Sequence, residues 1–141
     1  MLKAGSIILS IWSGINFLLA SLILTFIIFL KSNAPILVMV FKESEISRLD
    51  ARVISAVNSL AILYNSCAAA ISVLALFVIW SSLIDGQRWA FWVLLIAIGL
   101  VQILAFVAWA PLGNQRWQVN IVLTALYVVG IGLAGYSIFN R

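Results

Sequence analysis

Four stretches of this chain, residues 5–30, 53–80, 89–110 and 118–139, contain no acidic and no basic side chain. Each exceeds the ~20 apolar residues that a helix needs to cross a hydrocarbon core ~30 Å thick. No water reaches a backbone N–H or C=O in that medium, so a single span must close its hydrogen bonds on itself as an α-helix. Composition points the same way: 65% of the residues are hydrophobic, 9% are charged and mean hydropathy is +1.22. A soluble domain carries about 25% charged residues to keep its surface wet. The expected fold is therefore all-α, an integral membrane four-helix bundle forming one domain over residues 1–141.

The connections carry the charge. Asp85-Gly86 is a turn between spans two and three, and Pro111-Leu112-Gly113-Asn114 a turn between three and four. Connections this short force neighbouring helices to be antiparallel. Trp80, Trp89, Trp109 and Trp117 fall at expected helix ends, where amphipathic rings favour the headgroup level. Met1-Leu2-Lys3 resembles a signal-peptide n-region, but the apolar run behind it reaches Leu30 without a cleavage signal. An uncleaved first span is the expectation.

The first connection, Lys31 to Arg52, is the longest. Lys31 to Pro35 should end the first helix, because proline disfavours α geometry in the residue before it. Ile36 to Phe41 is apolar but too short to span, so it should lie at the interface or pack on the bundle. Ile46, Leu49 and Val53 follow helical spacing, with Ser44 or Ser47 available as an N-cap. That spacing predicts an amphipathic segment running straight into the second span.

Basic residues do not fix the orientation. Lys3, Arg88 and Arg141 lie on the face holding both termini, against Lys31, Lys42, Arg48, Arg52 and Arg116 on the other. The net charge of +4 is scattered over membrane flanks, unlike a nucleic-acid footprint. Gln-Arg-Trp occurs at 87–89 and again at 115–117, each time opening a span, as interface anchors do. The pattern Gly-x-Arg-Trp-Ala is similar to one found in small bacterial membrane proteins, and it identifies no family. The implied location is the cell membrane, such as the inner membrane of a bacterium.

Several chemistries are excluded by residue type. The chain has no histidine for haem and a single cysteine, Cys67, so neither a Cys-x-x-Cys couple nor an internal disulfide can form. All four acids (Glu43, Glu45, Asp50, Asp85) lie in connections, leaving no metal-ligand cluster and no mid-membrane proton relay. Four-span multidrug exporters are similar in size, but they rely on a glutamate in the first span, where this chain has only Asn16. No cofactor, metal site or catalytic residue is expected, and the chain does not read as an enzyme.

The polar residues that remain inside the spans are neutral. In the second span Ser55, Asn58, Ile62, Asn65, Ala69 and Ser72 recur at 3–4 spacing, one small polar stripe on a helix. In the first, Ser6, Ser10 and Gly14 form a small-xxx-small face that admits another backbone. Asn16, Asn65, Gln102 and Tyr127 each fall near the middle of their own span. An unpaired amide facing lipid costs several kcal/mol, so these four should turn inward. They either hold the bundle together or line a pocket for the polar end of a lipid or quinone-like molecule. The first choice implies a non-catalytic accessory or assembly subunit on a larger membrane complex, with a protein partner or a second copy beside it. The alternative is a binder or carrier of an amphiphile, with Asn16, Asn65, Gln102 and Tyr127 as ligand-binding residues.

Overall fold

A computed structural model describes residues 1–109 and 117–140, and all regular structure among them is helical. The elements are α1 (Leu2–Ile28), α2 (Pro35–Val40), α3 (Glu43–Ile46), α4 (Ala51–Val78), α5 (Arg88–Trp109) and α6 (Trp117–Phe139). A π-helical turn, Ile79–Leu83, extends α4. Four helices are long and apolar enough to cross a membrane. Their outward surface is apolar too: Leu18, Leu60, Leu63, Phe77, Ile96 and Val107 are all exposed. An apolar surface of that extent belongs in lipid rather than water. The expected Pro111 to Asn114 turn, residues 115 and 116, and the side chains of Trp109, Trp117 and Asn120 lie outside the described residues.

The first helix ends earlier than proline alone would dictate. Lys31 adopts a left-handed backbone (φ 49°), and the Ser32 N–H turns back onto the Phe26 carbonyl at 3.2 Å. That conformation closes the helix end at a steric cost to a non-glycine residue of about 1 kcal/mol. Pro35 then opens α2 at its first position, where a missing N–H costs nothing.

The segment before α4 also departs from expectation. It does not run straight into the span: α3 stops at Ile46, and α4 begins anew at Ala51. Neither Ser44 nor Ser47 caps the long helix. The cap is Asp50, whose Oδ1 accepts the Arg52 N–H at 2.8 Å. Ser47 instead donates its hydroxyl to the Glu43 carbonyl, and Glu45 accepts the Lys42 N–H at the start of α3.

Two compact units emerge, one from Met1–Gly14 with Val73 onward, the other from Ile15–Ser72. In the first, buried Leu9 and Trp12 of α1, Leu94 and Ile98 of α5, and Tyr127 and Ala134 of α6 form the core. Phe91 lies edge-on to Phe139 and against Gly135, while Gly99 lies against the Tyr127 hydroxyl. Contacts thus descend α6 as they climb α5, so these two helices run in opposite directions. Arg88 sits over the Phe139 ring at 5.6 Å, at the end of that aromatic cluster. In the second unit, Leu37 of α2 and Ile46 of α3 are buried, whereas Val38 and Phe41 remain exposed.

Candidate functional site

Helices α1 and α6 approach closely at glycine. A Cβ placed on Gly5 would stand 2.8 Å from the Ala134 nitrogen and 2.8 Å from the Gly130 oxygen, both backbone atoms. A Cβ on Gly130 would stand 2.9 Å from Leu9 Cγ. Bare backbone against backbone is how helices gain dispersion energy where lipid removes any hydrophobic drive between them. The expected Ser6, Ser10 and Gly14 face is thereby corrected. Ser6 is buried and accepts the Ser10 hydroxyl on its carbonyl, but nothing approaches Gly14. The buried face takes in Leu2, Gly5, Ser6, Leu9, Trp12 and Ser13, so of the expected three only Ser6 lies fully within it.

Along α4 burial is graded. Ser72 and Asn65 are buried, Asn58, Ile62 and Ala69 are half-buried, and Ser55 is exposed. Leu63, Ala70 and Phe77 face outward, as the stripe implied. The buried polar groups bond to their own helix: the Asn65 amide nitrogen donates to the Ala61 carbonyl at 2.7 Å, and the Ser72 hydroxyl to the Ala68 carbonyl at 2.8 Å. Asn58 does something else. Its side-chain oxygen accepts the Ala34 N–H at 2.8 Å, tying the start of α2 to α4.

The four midspan residues are thus placed differently. Asn16 is half-buried on α1, and Asn65, Gln102 and Tyr127 are buried. The Tyr127 hydroxyl crosses to α5 and donates to the Leu95 carbonyl at 2.8 Å, over the gap left by Gly99. Gln102 lies on the same buried stripe as Leu94 and Ile98, yet makes no hydrogen bond among the described residues. In the same unit the hydroxyls of Ser13 and Thr124 are also buried without a partner among the described residues. No hydrogen bond joins Gln102 to Tyr127. No cluster of three or more metal-ligating side chains occurs among the described residues.

The outward side of α4 carries a second stripe. Ala56, Ser59, Leu63, Ser66 and Ala70 recur at 3–4 spacing and all are exposed, beside the lone thiol of Cys67. Its signal was present as a second heptad of small residues, offset from the first. No known protein-family model, curated protein or solved structure matches this chain.

Proposed function

We propose that the chain forms a single-domain, antiparallel four-helix bundle in the cell membrane, and serves as a non-catalytic accessory subunit of a larger membrane assembly. The observation that carries this reading is the outward stripe of α4. A surface meant only for lipid gains nothing from alanine and serine. Small residues and hydroxyls at heptad spacing let a partner helix approach closely and bond across. The local bonds of Asn65 and Ser72 support a structural part for the buried stripe, because each already has a partner within its own helix.

One observation favours the second reading, an amphiphile held at midspan. The hydroxyls of Ser13 and Thr124 are buried without hydrogen-bond partners among the described residues, at a cost of about 1–3 kcal/mol each if left unsatisfied, and the side chain of Gln102 in the same unit makes no hydrogen bond among them either. A polar head bound there would satisfy them, with Tyr127 as a further contributor from the same unit.

Affinity purification in mild detergent, with mass spectrometry of protein and lipid, separates the two. A stoichiometric protein partner or second copy, lost in Ser66→Leu, supports the accessory role. A co-purifying amphiphile lost in Gln102→Leu supports the second. A monomer with neither overturns both.

A further inference from the structure

A cleft of about 400 Å³ opens between the end of α1 and the start of α4, within the second unit. Its volume falls in the range of small-molecule sites, ~300–1,000 Å³. Lys31 is its one charged lining residue, and no carboxylate lines it. Ser32, Ser55 and Ser59 add three hydroxyls, none engaged in a hydrogen bond among the described residues. Asn58 has its oxygen on the Ala34 N–H, so what its amide still offers is the NH₂ group, a donor. The polar side of the cleft thus offers an ammonium, an amide NH₂ and three hydroxyls as donors, and no anionic acceptor. Its other side is apolar, made by Ile27, Ile54 and Ile62.

Position explains the two-sided character. Helix α1 runs for 27 residues, about 40 Å at ~1.5 Å per residue, longer than a ~30 Å hydrocarbon core. Lys31 lies just past its end, where a helix longer than the core would bring it out to the headgroups. Ser55, Asn58 and Ser59 lie in the first turns of α4, and Ile62 lies deeper. The Lys31 backbone is left-handed, a conformation that glycine would take without steric cost. What lysine adds at this lining position is an ammonium.

We propose that this cleft binds an anionic phospholipid, with the phosphate among Lys31, the serine hydroxyls and the Asn58 amide, and an acyl chain along the isoleucines. The site is separate from the midspan amides and shares only Ser59 with the outward stripe of α4; it is centred on Lys31 and does not depend on either functional reading.

The test uses the full chain in phosphatidylcholine vesicles containing traces of spin-labelled phosphatidylglycerol or spin-labelled phosphatidylcholine. Electron spin resonance reads the fraction of each held at the protein. The expected result is a preference for phosphatidylglycerol of about fivefold, the value of one well-placed lysine at a membrane surface. Lys31→Gln and Lys31→Gly should both reduce it to parity, the second while keeping the helix end intact. Ser55→Ala with Ser59→Ala should lower it with no change of charge. Lys42→Gln removes the same charge from the same connection, but Lys42 lies outside the cleft, so that variant should keep the preference. Parity in the wild type, or an equal loss in Lys42→Gln, would overturn the proposal in favour of diffuse surface charge. Loss of the preference on adding millimolar inorganic phosphate would overturn the lipid as the occupant in favour of a free anion.

Discussion

The side-chain oxygen of Asn58 and the backbone N–H of Ala34 are 2.8 Å apart, across 24 residues of sequence. Through this bond α4 supplies the acceptor for the N–H that opens the short helix α2. Helix α2 has six residues, too few to be stable alone, so its order depends on what anchors it.

Asn58→Leu should therefore release α2 before it disturbs the spans. A lost cap bond of this kind costs about 1–2 kcal/mol. Hydrogen exchange should rise in residues 34–41 and remain slow in α4. Asn58→Asp keeps the accepting oxygen and should preserve the protection.

Gly5→Ala should be disruptive where Gly14→Ala and Gly132→Ala are tolerated. An added Cβ on Gly5 meets backbone of α6 that has no rotamer to change, whereas nothing lies within 4 Å of one on Gly14 or Gly132. Overpacking of this sort costs about 1–3 kcal/mol. Thermal unfolding in detergent should show a clear drop for the first and little change for the others.

Tyr127→Phe should lower stability by ~0.6–2 kcal/mol, the range for hydrogen bonds between membrane helices. Asn65→Leu should cost less, since its observed bond stays within one helix. Equal losses in unfolding measurements would mean that Asn65 bonds beyond its own turn.

Lipid-phase maleimide should modify Cys67 readily, as this thiol is exposed on α4. In a Cys67→Ala background, Phe77→Cys should react faster than Asn65→Cys, given exposures of 70% and 7%. The reverse order would contradict the rotation of α4.

The four spans were legible in the sequence because spanning is a local property: a long uncharged run must be helical in lipid, wherever its neighbours lie. Their limits emerged within two or three residues for the same reason. The inward turn of Asn65, Gln102 and Tyr127 was legible too, since exposing such groups to lipid is costly at any position. What each of them bonds was not. The Tyr127 hydroxyl reaches Leu95 because Gly99 leaves room, a fact of two helices in register. Small residues recur on α1 at Ser6, Ser10 and Gly14 as well as at Gly5, and only the placement of α6 decides which of them bears the contact. The end of the first helix was expected from Lys31 to Pro35, but not the left-handed turn at Lys31, and the Asp50 cap was a weaker signal than the two serines near it. Composition and spacing thus determined which segments cross and which side chains must hide. Rotation about each helix axis, set by packing between segments distant in sequence, decided what they touch.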